Sequence, residues 1–366
     1  IVIDTTGTIE TGREVRSIFD RINPYPIKAV IYTHNHGDHV FGARAFVDSA
    51  DTEVIAHITT KEYINRILGI LRPIISKRSA RMFGSAIPEE EIENNGIGPF
   101  LEIGREGRQT SLVYPTREFE DYLKLVLSGI DIHLFHAPGE TNDQIFVWLP
   151  KFKALFPGDN FYRAFPNLYT IRGTPYRDLA GWVGSIDKMR YLEPEFLIPS
   201  HSRPLEGSQE ILKHLTNYRD AIQFVHDQTI RLMNKGMTPS EIASEIVLPD
   251  HLTSSPFLKE FYGTPQWSSK NVFTGYLGWF DGNPTTLNPL TDKEEAKKII
   301  ALAGGWSNVL EEANRAIKEE EFQWALQLTD YLLLENSSNQ EVLNIRINSL
   351  DSLGAMQANP NARYYY

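Results

Sequence analysis

The stretch Thr33–Val40 reads THNHGDHV and places three histidines and an aspartate within six residues, directly after the apolar run AVIY. Such side chains are costly to bury unless something compensates them, and the usual compensation is a metal ion. The chain has no cysteine, so thiolate ligation, a disulfide framework and a cysteine nucleophile are all excluded. Any metal must be held by histidine and carboxylate. His34 and His36, two apart behind a strand, leave an extended segment on the same face. Asp38 and His39 follow in the turn into HVFGARAF, which is expected to open a helix. Four ligands so close in sequence cannot all reach one small ion without strain, whereas two ions about 3.5–4 Å apart can divide them.

A pair of ions needs further ligands, and the chain offers them with one rhythm. DIHLF leads to HAPGE with Glu140, KALF leads to PGD with Asp159, and EFLI leads to PSH with His201. Each candidate lies just past an expected strand, and loops at one end of a sheet converge on one site. Taken singly, Glu140 and Asp159 could be turn residues and His201 a surface histidine. Beside THNHGDH, that ordinary reading fails for the set. His57, His133, His214, His226 and His251 belong to no comparable motif and read as structural or surface residues. His136 reads as a supporting or pocket residue.

Up to about Leu205 short apolar runs bounded by Gly, Pro, Asn and Asp alternate with amphipathic stretches, the pattern of sheets covered by helices. From Ser208 the periodicity is helical and stops at Gly236; TPSEIASEI then opens with a capping box. Residues 248–290, rich in Pro, Gly and aromatics, read as ordered loops able to cover a pocket. From Thr291 the chain is helical again, with one tetratricopeptide-like hairpin whose apolar face needs a partner, either elsewhere in this chain or on a second copy. No tandem repeat, low-complexity tract or basic block stands out. With 41% hydrophobic and 23% charged residues in 366, the chain is of ordinary globular composition. Its net charge of -11 argues against nucleic acid or an anionic membrane surface as the main partner. No apolar run reaches the roughly 18 residues of a membrane span, so stable membrane insertion is not expected. The chain starts at Ile1 rather than Met, which leaves localisation open, with export possible if a leader was removed.

The motif THNHGDH, the glycine-flanked acids and the later histidine resemble the metallo-β-lactamase superfamily. PGET, with Glu140 where most members carry histidine, resembles its zinc-dependent alkylsulfatase branch, which includes bacterial SDS hydrolases. The likeness extends over NLYTIRG, PSHSRPL, YRDAIQFVHDQT, GYLGWFDGNPT and FQWALQLTDYLL to ARYYY. The resemblance implies an αββα sandwich over residues 1–207, a segment 208–290 covering the active site, and a helical dimerisation domain over 291–366. It also implies that strands usually preceding IVID, and a sterol-carrier-like domain usually following Tyr366, lie outside this chain. On the same basis His34, His36 and Glu140 hold one zinc, Asp38, His39 and His201 the other, and Asp159 bridges them where the family usually has glutamate. Asn167, Arg172 and Tyr276 map onto the sulfate pocket; a planar guanidinium and neutral donors suit sulfate oxygens.

The expected reaction is hydrolysis of an anionic sulfate ester by water activated at the two zinc ions, with Asp38 and Asp159 as catalytic carboxylates. The family often has a histidine, proposed as proton donor to the leaving alkoxide, directly before the asparagine; here the residue is Pro166, which carries no proton. Tyr162, Tyr169 or a water could replace it, or the leaving group must not need protonation, which would favour aryl over alkyl esters. The same metals could instead serve a phosphate ester, phosphonate or lactone hydrolase. A non-catalytic binding protein is disfavoured by the retention of all seven candidate ligands.

Overall fold

The computed structural model describes residues 1–47 and 49–366, which divide into two compact units, Ile1–Gly278 and Trp279–Tyr366. The division falls within the 208–290 segment rather than at its end.

In the first unit, four parallel strands form one sheet in the order β1 (Val2–Ile3), β2 (Ala29–Ile31), β3 (Glu53–His57), β4 (Arg117–Phe119). The second sheet is built from β5 (Tyr122–Leu127), β6 (Ile130–His136), β7 (Ile145–Leu149), β8 (Ala154–Phe156), β9 (Phe196–Leu197) and β10 (Leu205–Glu206). It runs in reverse order from β10 to β5 and is antiparallel except between β8 and β9. The alternation of strand side chains explains the layering. Ala29, Ile31 and Ile55 of the first sheet pack against Ile132, Leu134, Ile145 and Val147 of the second. The opposite faces carry Val30 and Val54, covered by Val40, Phe46 and Ile64, and Phe146, Trp148 and Leu155, covered by Trp182, Ile186, Leu215 and Ile222. The result is the expected αββα sandwich.

Two expectations about local structure need correction. HVFGARAF does not form one helix: a single turn, Gly37–Val40, gives way to a short 3-10 turn at Ala43–Ala45. Residues 248–290 are not only loops, because Pro265–Leu277 is a helix with Thr264 as N-cap and Pro at its first position. Its buried side includes Ser268, Ser269 and Asn271, polar residues that hide it from a hydrophobic-periodicity reading. The helix Ser208–Met233 ends before Gly236, whose φ is +82°, and Thr238 and Glu241 close the expected capping box.

The second unit stacks helices Asp292–Leu302, Trp306–Lys318, Phe322–Glu335 and Gln340–Ala355 around Ile300, Val309, Ala313, Ala325, Leu328, Leu332, Val342 and Ile345. Each hairpin thus buries an apolar face on its neighbours. Leu302, Ile347 and Met356 nevertheless remain exposed. Among the described residues no helix is long and apolar enough to cross a membrane.

Candidate metal centre

The candidate ligands gather where the chain leaves β2, β6, β8 and β9. Directly after β2 the backbone carries His34 and His36 to the same side, so that His34 Nε2 and His36 Nδ1 come within 2.9 Å. The turn Gly37–Val40 then delivers Asp38 and His39. Asp159 follows β8 across Gly158, whose φ is +58° and whose missing side chain leaves room for the Gln144 amide. His201 arrives four residues beyond β9.

Two groups of ligand atoms result. His34, His36 and Asp159 form one, and Asp38, His39 and His201 the other; within each, the ligand atoms lie within 4.8 Å of one another. Asp159 Oδ2 stands 3.9 Å from His34 Nε2 and 3.4 Å from both His39 Nε2 and His201 Nε2, so it faces both groups. Asp38 Oδ2 is 3.5 Å from His39 Nε2 and 3.3 Å from His201 Nε2. Most of these separations exceed a good hydrogen bond. His39 Nε2, His201 Nε2 and Asp159 Oδ1 are buried without a hydrogen-bond partner. Orphaned nitrogen and carboxylate oxygen atoms converging from three loops fit a metal ion of the N/O-ligated kind.

Glu140 sits deeper. Its Oε1 is 4.0 Å from His36 Nδ1, but it also pairs with Arg177 Nη1 at 3.0 Å, and Oε2 accepts a hydrogen bond from Tyr162 Oη at 3.2 Å. Glu140 and Arg177 are both almost fully buried.

The electrostatics divide the site. Burial, reinforced by His39, holds the His34 imidazole down at about 3, and burial with His34 and Arg172 keeps His36 well below the ordinary value. Both are therefore neutral, as ligands must be. Burial alone would lower His39 and His201 too, but Asp159 and Asp38 outweigh it, raising His39 well above its usual value and His201 to about 10. Against burial, the same contacts hold Asp38 and Asp159 well below the carboxylate range. Without metal, protons on His39 and His201 supply the positive charge that the carboxylates demand. Burial raises Glu140 to about 7, with Arg177 opposing.

The substrate residues read from the sequence fare differently. Arg172 lies at the centre: its Nη2 donates to His36 Nε2 at 3.0 Å, and it lines both cavities beside the site. The larger cavity, of about 760 Å³, is walled by Phe41, Ile67, Leu68, Ile75, Phe83 and Leu101 and reaches Asp38, Asp159 and His201. Asn167 lines neither cavity. It is buried with Oδ1 unpartnered, and its carbonyl accepts from Arg177. Tyr276 lines neither cavity as well; half exposed, its hydroxyl is 2.8 Å from His226 Nε2. His136 stacks on His57 at 4.0 Å and donates to the Asn142 carbonyl, so it stands apart from the two ligand groups.

Four residues that matter here were not singled out by sequence. Asp4, at the end of β1, accepts from Thr33 N, Thr33 Oγ1, His39 Nδ1 and Ser200 Oγ at 2.7–3.1 Å. Its position just past a strand repeats the rhythm of Glu140, Asp159 and His201 and was a usable signal. Asp143 accepts from Asn35 Nδ2 at 2.6 Å and so steadies the backbone between His34 and His36. Arg177 and Tyr262 reach the site through loops with no local pattern; Tyr262 lines the larger cavity with Arg172 and His201.

Comparison with known proteins places the chain among relatives. Residues 1–201 match the family model described as Metallo-beta-lactamase superfamily, and residues 238–366 the one described as Alkyl sulfatase dimerisation. The chain is 36% identical over its whole length to a linear primary-alkylsulfatase of a Pseudomonas species, covering 70% of that protein. It is 30% identical, over 97% of its length, to the alkyl/aryl-sulfatase of Saccharomyces cerevisiae, covering 56% of it. The solved structure of a stereoselective inverting sec-alkylsulfatase from a Pseudomonas species superimposes with a TM-score of 0.93 at 29% identity, over 100% of this chain and 59% of that one. The chain thus spans between 56% and 70% of the length of these relatives.

Proposed function

We propose, from the premise that this chain belongs to the metallo-β-lactamase superfamily and to its alkylsulfatases, that it hydrolyses organic sulfate esters to alcohol and inorganic sulfate. The observation that carries this reading is the junction of the two ligand groups with a partly buried guanidinium, Arg172, and a large apolar cavity. An anionic head and an apolar tail are what such a place selects.

His34, His36 and Glu140 would hold one zinc ion and Asp38, His39 and His201 a second, with Asp159 shared between them. When bound, zinc supplies Lewis acidity and brings the pKa of water down to about 7. The chain's own residues do the rest. Asp4 accepts a hydrogen bond from His39 Nδ1 and leaves Nε2 facing the site. Were His36 to hold a metal ion, the ring would no longer be free to accept from Arg172 Nη2, and the guanidinium fork would be available to sulfate oxygens. Arg177 adds a second guanidinium from beneath and is itself oriented by the Asn167 carbonyl. In this reading the anion-binding role read for Asn167 and Tyr276 passes to Arg177. One of the two carboxylates, Asp38 or Asp159, would accept the one proton lost by the attacking water, R–O–SO3⁻ and H2O giving R–OH and hydrogen sulfate.

The leaving oxygen needs a proton, and Pro166 has none to give. Gly263 N donates to the Phe165 carbonyl, and a side chain at 263 would strike the Pro166 carbonyl. Tyr262 is thereby laid alongside Pro166 and into the larger cavity. Burial, with the Glu140 charge, keeps its phenol protonated. Tyr162, by contrast, donates its hydrogen bond to Glu140 Oε2. We assign Tyr262 as the donor, which makes alkyl as well as aryl esters substrates. The dimerisation segment 238–366 acts in a homodimer, to be checked by light scattering at micromolar concentration.

The test is kcat/KM on paired sulfate and phosphate esters of the same alcohols, with metal content measured on the same preparation. Sulfates should be turned over in preference, with two zinc ions per chain. Preference for the phosphates, or activity with no metal, would refute the reading.

A further inference from the structure

The chain between Glu62 and Glu89 contains Arg66, Arg72, Lys77, Arg78 and Arg81 and no acidic residue, within a protein of net charge -11. The cations are spread among isoleucines and leucines, which is why no basic block is visible in the sequence. In the fold the segment forms a wide turn with i→i+5 bonding, Arg66–Ile70, followed by the helix Arg72–Met82. Such insertions recur at functional sites. One face of this element, Ile67, Leu68 and Ile75, walls the larger cavity. The other face points to water and is not polar: Ile70 is 83% exposed and Ile74 50% exposed. Arg66, Arg72 and Lys77 flank them, exposed and without an ion pair among the described residues. Arg78 is tied down, donating to the carbonyls of Ile171 and Arg172 next to the anion site.

An apolar tip ringed by unpaired cations, on the wall of an apolar cavity, has a natural complement in a surface that is anionic at its face and hydrocarbon beneath. We infer that the segment 66–82 docks the protein on aggregates of an anionic amphiphile, the micelle or monolayer formed by its own long-chain ester substrate. Ile70 and Ile74 enter the hydrocarbon boundary, the cations meet the headgroups, and the ester passes along Ile67 and Ile75 toward Arg172. This rests on the sulfate-ester reading for the identity of the amphiphile, whereas the docking itself needs no turnover.

The test uses the full chain and two probes. The first is phosphatidylcholine vesicles with or without dodecanesulfonate, which cannot be hydrolysed at a C–O–S linkage. The wild type should sediment with the sulfonate vesicles and not with neutral ones. An Ile70→Ser/Ile74→Ser double variant should lose roughly tenfold in partitioning, and Lys77→Glu at least about fivefold. The second is turnover of dodecyl sulfate carried in neutral-detergent micelles, which should fall in both variants while kcat/KM on a short, monomeric sulfate ester stays at the wild-type value. Equal partitioning to both vesicle types, unchanged variants, or loss confined to phospholipid surfaces with micellar turnover intact would overturn the inference. So would a change of oligomeric state in the variants by light scattering, since the patch would then face a second copy. Sulfonate partitioning without hydrolysis of any sulfate ester would refute the function and leave the docking standing; hydrolysis without partitioning would do the reverse.

Discussion

Replacing Asp4 by asparagine tests how the centre is held. One carboxylate accepts four hydrogen bonds, Oδ1 from Thr33 N and Oδ2 from Thr33 Oγ1, His39 Nδ1 and Ser200 Oγ. An amide offers one accepting atom. If its oxygen takes the Oδ2 side, the Thr33 N–H faces an NH2 group and is orphaned in a buried position, costing about 1–3 kcal/mol. If the oxygen takes the other side, three donors lose their acceptor and His39 must turn its tautomer, placing a proton on the Nε2 that faces Asp38 and Asp159. Either way the ionic character of the His39–Asp4 bond is gone. Outer partners of metal-ligating histidines are typically worth about 10- to 100-fold in metal affinity, or about 1.4–2.7 kcal/mol. Asp4→Asn should therefore show both a weaker zinc affinity by competitive chelator titration and a loss of about 1–3 kcal/mol in chemical denaturation of the metal-stripped protein. Ser200→Ala removes a single neutral donor and should leave zinc affinity within roughly twofold. Asp4→Asn with wild-type zinc affinity and only reduced stability would refute the reasoning, because Asp4 would then support the fold and not the histidine.

Further outcomes follow from the same geometry. In the metal-stripped protein the His201 pKa is raised from 6.5 to about 10, so its contribution to stability is complete below pH 6.5 and is lost as pH rises toward 10. Melting of metal-free protein should fall over that window, and calorimetric zinc titration in buffers of different ionisation enthalpy should show release of about two protons at neutral pH, from His39 and His201. Arg172→Lys keeps the charge but loses the planar fork; kcat/KM should drop by the worth of one charge-assisted hydrogen bond, about 1.5–3 kcal/mol, and an unchanged value would remove Arg172 from the anion site. Tyr262→Phe should lower kcat/KM for dodecyl sulfate by about 10²–10⁴ and spare 4-nitrophenyl sulfate, whose phenolate leaves unprotonated; equal losses on both would exclude Tyr262 as proton donor.

Much of this molecule is written locally. Three histidines and an aspartate behind an apolar run cannot be accommodated by ordinary packing, so the motif at 33–39 announces a metal centre wherever it occurs. The alternation of β2, β6 and β7, with one set of side chains for the other sheet and one for the helices, follows from a period of two and yields the layered fold. Capping at Thr238 and Glu241 and the stop at Gly236 are local backbone chemistry, and the same holds for Thr264–Pro265, a helix start that is legible even though the helix behind it is not. That helix buries Ser268, Ser269 and Asn271, and only its tertiary partners, such as the Leu168 carbonyl that accepts from Asn271, make it stable. The same limit governs the site. Which atoms share an ion, that Asp159 faces His34, His39 and His201 at once, and that Glu140 leans on Arg177 depend on how loops from two ends of the sequence meet above one sandwich. Asp4 and Ser200 are 196 residues apart in sequence, yet Ser200 Oγ donates to Asp4 Oδ2. The tip at Ile70 and Ile74 shows the converse: its residues look like core in sequence, and only the fold, by using their neighbours Ile67 and Ile75 to wall a cavity, turns them to the outside.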